Sequence, residues 1–152
     1  MNYIIVFLIS MSPLVELRGS IPLGIFYYKM SLGEAVFISL AGNILAIYLF
    51  LLILNHVLSF FIQRITWIKK ITDRIFSFTR KKHEKKFERW KELALVLIVS
   101  IPLPLTGACS GTIASYVFGI PPKKAFPLIT LGVLIAGLIV TVLTLNGVYI
   151  FQ

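Results

Sequence analysis

The chain has 152 residues, of which 58% are hydrophobic and only 14% are charged. This composition excludes a soluble domain with a polar surface and indicates an integral membrane protein. The formal net charge is +9, and the single cysteine, Cys109, excludes an intramolecular disulfide.

The positive charge is concentrated in one block. Of the 15 lysines and arginines, 11 lie between Arg64 and Lys91 together with three acidic residues, which gives this block a net charge of +8. Such a block predicts a cytoplasmic segment, so membrane topology accounts for the charge without nucleic-acid binding. Apolar residues recur in it at three- and four-residue steps, which predicts a basic amphipathic helix on the cytoplasmic leaflet, although a solvated connector fits equally well.

The first apolar segment is too short to cross a membrane. Residues 3–11 form a run of nine residues, about 14 Å long as a helix, against a hydrocarbon core of about 30 Å. The stretch 10–24 contains Glu16, Arg18, two prolines and two glycines and interrupts the apolar sequence, and a second short run covers 21–28. Two interpretations remain open: one kinked spanning helix over 2–28, or a re-entrant hairpin whose halves enter and leave on one side.

A long helix follows each broken segment. Ser31 and Glu34 have the spacing of a capping box, and residues 34–62 contain no proline and no further acid or base, which predicts a transmembrane helix. In the second part of the chain, short runs at 93–100 and 113–120 flank a break at 101–112. Residues 121–127 open a last helix that is expected to span and to end near Tyr149.

The two parts of the chain repeat the same order of elements. Pro13 corresponds to Pro102 and Gly42 to Gly132, at offsets of 89 and 90 residues. If each broken segment is a hairpin, each repeat crosses the membrane once and the repeats are inverted. That arrangement also places Lys123 and Lys124 in the cytoplasm, as the positive-inside rule prefers.

The predicted fold is therefore an all-α integral membrane protein. It is an inverted repeat of a re-entrant helical hairpin plus a transmembrane helix, with the basic amphipathic cytoplasmic helix between the repeats. We expect one multi-pass domain in the cell membrane, with repeat 1 at 1–63, the cytoplasmic connector at 64–92, repeat 2 at 93–152 and both termini outside. The hairpins would meet near the midplane, where transporters with inverted repeats place their substrate sites.

Glu16 and Arg18 are the first candidates for that site, because ionisable residues at membrane depth are costly and rarely face lipid. A carboxyl group removed from water can bind and release a proton, whereas a guanidinium stays charged and suits phosphate or carboxylate. The alternative is a structural ion pair that fastens the hairpin.

Further candidates lie at the two breaks. Helices that restart near the midplane expose amides that attract anions, so an anionic headgroup is the more natural ligand. Glycines at the breaks allow tight turns, and an asparagine within a spanning helix needs a polar partner. The complete predicted substrate or proton site comprises Glu16, Arg18, Gly19, Ser20, Asn43, Gly107, Ser110 and Gly111.

A family resemblance rests on three stretches: 16–24 (ELRGSIPLG), Gly42-Asn43, and 102–111 (PLPLTGACSG). They resemble the family called putative small multidrug export proteins, which looks related to the wider DedA/VTT superfamily. The resemblance covers nearly the whole chain. It implies two opposed re-entrant hairpins with two or more spanning helices, and proton-coupled transport or movement of lipid-linked phosphates or phospholipids between leaflets.

The function that we predict is membrane transport. We expect a transporter, coupled to protons, that moves an anionic lipid or small amphiphile and has membrane lipids and a second copy of the chain as possible partners. The alternatives are a structural or assembly membrane protein, or less plausibly a membrane enzyme acting on lipid phosphates. The sequence has no HExxH motif, acidic metal cluster or Ser/His/Asp set, so we predict no enzyme activity, metal or cofactor.

Overall fold

The computed structural model describes residues 2–64, 85–102 and 107–150. Within these ranges the secondary structure consists of helices joined by short turns, with no strand. The amphipathic helix predicted within the basic block falls mostly on 65–84, outside the described residues. The helices are α1 (Asn2–Met11), α2 (Glu16–Phe26), α3 (Leu32–Arg64), α4 (Lys85–Ser100), α5 (Ala108–Val117) and α6 (Pro122–Ile150). We refer to α1–α3 as the first half and to α4–α6 as the second half.

In the first half, α1 and α2 fold back on each other. The hydroxyl of Tyr3 donates a hydrogen bond to Oε1 of Glu34 at 3.1 Å, and Val6 packs with Met30 and Ala35. The beginning of α1 therefore lies beside the beginning of α3, immediately after α2 ends. This contact excludes one kinked helix over 2–28, whose ends would be far apart, and it makes α1 and α2 a helical hairpin.

The second half closes in the same way. Nζ of Lys91 donates to the Phe118 carbonyl at 3.2 Å, and Nζ of Lys124 lies 3.7 Å from Oε1 of Glu92. These contacts hold the beginning of the apolar part of α4 beside the end of α5 and the beginning of α6. The helix α4 begins at Lys85, so the end of the basic block and the apolar run that follows it form one helix, and the boundary at residue 92 stays a prediction.

Burial follows the predicted repeat. Gly42 and Gly132 are both buried, and each allows its long helix to approach the first helix of its own half. A Cβ at Gly42 would lie 2.6 Å from the Phe7 carbonyl oxygen, and one at Gly132 would lie 3.0 Å from the Val96 carbonyl oxygen. Equivalent positions in the two long helices are buried alike: Ala35 and Ala125, Ser39 and Ile129, Asn43 and Val133, Ala46 and Ala136.

The two long helices run in opposite directions. A Cβ at Gly137 would lie 3.2 Å from Cδ2 of Leu40, and the rings of Tyr48 and Phe126 meet edge to face at 6.3 Å. Leu40, early in α3, therefore lies beside Gly137, late in α6. Tyr48, later in α3, lies beside Phe126, early in α6. One hydrophobic core joins the halves and includes residues of five of the six helices.

Two helical segments, Leu32–Leu54 and Pro122–Gly147, are long and apolar enough to cross a membrane. Only 33% and 39% of their residues are buried, whereas the core helix of a soluble protein is mostly buried. Large apolar side chains cover the outside, including Phe37 at 74% exposure and Leu138 at 68%. A continuous apolar surface of this kind indicates contact with lipid.

Candidate functional site

The tips of the two hairpins meet. The first tip comprises residues 12–15 and Glu16, the first residue of α2. The second tip lies between α4 and α5, and its described residues are 101, 102, 107 and 108. With ten residues, α1 is about 15 Å long, which is half the thickness of a hydrocarbon core.

Glu16 is the centre of this contact. Its side chain is buried, with 8% exposure, although it belongs to a charged residue type. The carboxylate lies beside Gly107 and interacts electrostatically with the backbone amides of Ala108 and Cys109, which are the first two residues of α5. Because the amino end of a helix carries partial positive charge and unpaired amides, a carboxylate is stabilised there. The first hairpin thus supplies the cap of a helix in the second half.

The backbone at Glu16 is unusual. Its φ angle is 51°, in the left-handed region that side chains other than glycine rarely adopt. The chain turns sharply into α2 at this residue. The turn places the carboxylate beside Gly107, where a Cβ atom would overlap it.

Arg18 contacts the other side of the same break. Its Nη2 donates to the carbonyl oxygen of Ile101 at 3.3 Å, one residue after α4 ends. The carbonyl end of a helix carries partial negative charge, which favours a cation. Glu16 and Arg18 therefore place opposite charges on the two helix ends that flank the second tip, each with the sign that the helix end prefers.

Ser110 and Gly111 shape the second hairpin. The amide of Gly107 donates to Oγ of Ser110 at 2.7 Å, and this hydroxyl donates to the Gly107 carbonyl at 3.1 Å, which fixes the first turn of α5. A Cβ at Gly111 would lie 2.5 Å from Cγ2 of Val99, so glycine permits close packing of α5 against α4.

Ser20 and Asn43 belong to a neighbouring group, which we call the first-half polar cluster: Ser10, Ser20, Ser39 and Asn43. Oγ of Ser20 donates to Oγ of Ser39 at 2.7 Å, and Oγ of Ser10 donates to the Ser39 carbonyl. Nδ2 of Asn43 donates to the Ser10 carbonyl at 3.4 Å. These bonds join α1, α2 and α3.

The predicted site residues therefore fall into three groups. Glu16, Arg18, Gly107 and Ser110 come together where the tips meet. Ser20 and Asn43 lie in the first-half polar cluster. Gly19 faces its neighbour Val15 and Gly111 packs against Val99, so these two glycines contact hydrophobic side chains.

Sequence reasoning missed two kinds of partner. Ser10 and Ser39 were not singled out, although the four-residue spacing of Ser39 and Asn43 places both on one face of a helix. The backbone groups of Ile101, Ala108 and Cys109 have no signal in the side-chain sequence, because any residue carries them. Over the described ranges, no three His, Cys, Asp or Glu residues come close enough to hold a metal ion.

Two long apolar helices, a lipid-like exterior and two hairpins that meet at a buried charge define a helical membrane protein. A family model matches residues 16–139, and the chain belongs to the family described as "Putative small multi-drug export protein". An export family indicates a transporter rather than an enzyme. The relationship to the DedA/VTT superfamily stays a prediction. No curated protein and no solved structure matches the chain.

Proposed function

We propose that this protein transports an anionic lipid or small anionic amphiphile, coupled to protons, through a site where the two hairpin tips meet. One observation carries the proposal: the carboxylate of Glu16 lies against Gly107, at the amide end of α5. Such a helix end binds phosphate and carboxylate groups in general. The Glu16 carboxylate would therefore occupy the position at which the anionic headgroup of a substrate binds.

The proposed arrangement in the membrane is an inverted repeat with two re-entrant hairpins. The short hairpin helices and the opposite directions of α3 and α6 support it. Non-helical backbone at membrane depth is tolerated where it is buried in protein or lines a cavity, and the hairpin tips meet this condition through their mutual contact. The basic block would then lie in the cytoplasm, and both termini outside.

The transport step follows from competition at the end of α5. Ionised Glu16 fills the amides of Ala108 and Cys109 and keeps the tips together. Protonation removes its charge, weakens this cap and leaves the amides without an anion. An anionic headgroup can then bind to the same amides with Arg18 as its cationic partner, so that one negative charge replaces another. Release of the proton and the headgroup on the other side restores the cap.

A structural role is the second candidate. The Glu16 carboxylate joins the first hairpin to the start of α5, and a simple brace between two hairpins requires the same contact. Under this hypothesis the contact never opens, and the protein serves as an assembly or scaffold subunit.

Flux measurements in proteoliposomes distinguish the two candidates. The probes would be a fluorescent phospholipid and a polyprenyl phosphate, each tested with and without an imposed pH gradient. For transport, we expect Glu16→Gln to abolish the effect of the gradient and Arg18→Ala to reduce flux at least 10-fold. Glu34→Gln is the matched control, because Glu34 is exposed and bonds to Ser31 of its own half.

Wild-type flux in both Glu16→Gln and Arg18→Ala would contradict the transport mechanism. If those variants instead retain flux but accumulate poorly in the membrane, the bracing role is favoured. Expression and monodispersity of each variant should therefore be measured beside its flux.

A further inference from the structure

The first-half polar cluster is not required by the fold. Its four side chains are fully buried between α1, α2 and α3. Three of the four positions have equivalents in the second half that are just as buried but apolar, so similar packing is achieved there without these polar groups. The residues equivalent to Ser10, Ser39 and Asn43 are Val99, Ile129 and Val133.

One atom of the cluster has an unmet requirement. Oδ1 of Asn43 is buried and accepts no hydrogen bond within the described part of the chain, whereas Nδ2 of the same amide donates to Ser10. A buried acceptor without a donor is costly in a low-dielectric interior. Because this oxygen can only accept, its missing partner is a hydrogen-bond donor or a cation.

The surroundings of this oxygen favour a cation. The helix α1 ends at Met11, so its carbonyl end, with partial negative charge, lies beside the cluster. The hydroxyl oxygens of Ser10, Ser20 and Ser39 add further oxygen atoms to the same buried group.

We propose that the first-half polar cluster is a binding site for a small, hard monovalent cation, namely sodium. Oδ1 of Asn43 and the serine hydroxyl oxygens would be its ligands. Hard cations prefer oxygen ligands, and carbonyl ends of interrupted helices coordinate sodium in membrane transporters. Binding is independent of the proposed transport, whereas a use of this ion to drive transport would rest on that proposal.

Sodium binding can be measured on the purified full chain without any substrate. We would compare thermal stability in NaCl, KCl and choline chloride at equal ionic strength, and measure binding of ²²Na⁺ directly. We expect saturable ²²Na⁺ binding and a melting temperature that rises with sodium but not with potassium or choline, because a ligand of the folded state stabilises it.

Asn43→Val is the decisive variant, since valine occupies the equivalent buried position 133. We expect it to fold and to lose at least 10-fold in sodium affinity, and we expect Ser39→Ala to weaken binding as well. Thr144→Val is the matched control, because the Thr144 hydroxyl is buried but bonds to Val140 of its own helix. This variant should bind sodium as the wild type does.

Absence of saturable ²²Na⁺ binding to the wild type would overturn the proposal and would leave a bound water as the partner of Asn43. Wild-type affinity in both Asn43→Val and Ser39→Ala would also overturn it. If Asn43→Val does not fold, the affinity of Ser39→Ala decides. If the wild type binds sodium but shows no lipid flux, the transport proposal is rejected and the sodium proposal stands.

Discussion

At the scale of single residues, Glu16 combines three features that rarely occur together. It is charged, it is buried, and its backbone is left-handed. A left-handed residue other than glycine lowers stability by about 1–2 kcal/mol, and a carboxylate at the amino end of a helix contributes up to about 2 kcal/mol of stabilisation. The turn is therefore stable because the second half provides amides for the carboxylate.

Gly107 leads to the first prediction. Its φ angle of −159° is extended backbone that any residue adopts, and the three atoms nearest to an added Cβ all belong to the Glu16 carboxyl group, so we expect a substitution there to act through this contact. We expect Gly107→Ala to lower the free energy of unfolding by about 1–3 kcal/mol, as overpacking does. The measurement is thermal unfolding of the purified protein in detergent.

A double variant provides the control for Gly107. In a Glu16→Ala background the carboxylate is gone, so Gly107→Ala should cost much less than in the wild type. Equal costs in the two backgrounds would mean that Gly107 is not in contact with Glu16.

At the scale of elements, a buried glycine in each half allows the long helix to pack closely against the first helix of that half. Gly42 lets α3 approach α1, and Gly132 lets α6 approach α4. A side chain at either glycine would separate the long helix from the first helix of its half. Small residues have this role in membrane proteins because packing, rather than hydrophobic exclusion, holds helices together in lipid.

Substitution of these glycines leads to the second prediction. We expect Gly42→Ala and Gly132→Ala each to destabilise by about 1–3 kcal/mol, because Cβ would meet backbone or β-carbon atoms that cannot rotate away. Gly33→Ala is the matched control, since no atom lies within 4 Å of its added Cβ. That variant should be neutral or more stable by up to about 1 kcal/mol, from helix propensity. Unfolding in detergent monitored by circular dichroism would measure all three.

The elements also show how far sequence reasoning reaches. The lengths of the apolar runs predicted the short and long helices, and the cost of a buried charge singled out Glu16 and Arg18. The choice between a hairpin and a kinked helix depended on contacts between residues 31 positions apart, such as Tyr3 and Glu34, which one sequence cannot reveal. Orphan amides and carbonyls at helix ends were equally invisible, because their position depends on how the halves meet.

At the scale of the whole molecule, the helix directions relate the termini to the basic block. The chain begins beside the start of α3, and α6 runs opposite to α3, so α6 ends on the side where the chain begins. The start of the apolar part of α4 lies beside the start of α6, on the other side. From the positive-inside rule we predict that this other side faces the cytoplasm.

Topology is the third prediction. In a Cys109→Ala background, single cysteines at positions 2 and 147 should react with a membrane-impermeant maleimide added outside whole cells. A cysteine at position 91 should react only after the membrane is permeabilised. The reverse pattern, or opposite sides for positions 2 and 147, would contradict the inverted arrangement.

The cap that Glu16 places on α5 also has a consequence for how the protein is made. The ribosome synthesises Glu16 about ninety residues before Cys109. At a translation rate of roughly 5–20 residues per second, the first hairpin waits roughly 5–20 s for those amides to exist. During this interval the carboxyl group of Glu16 is hydrated, protonated or in contact with the insertion machinery. The final environment of the Glu16 carboxyl group therefore forms only after α5 has been synthesised.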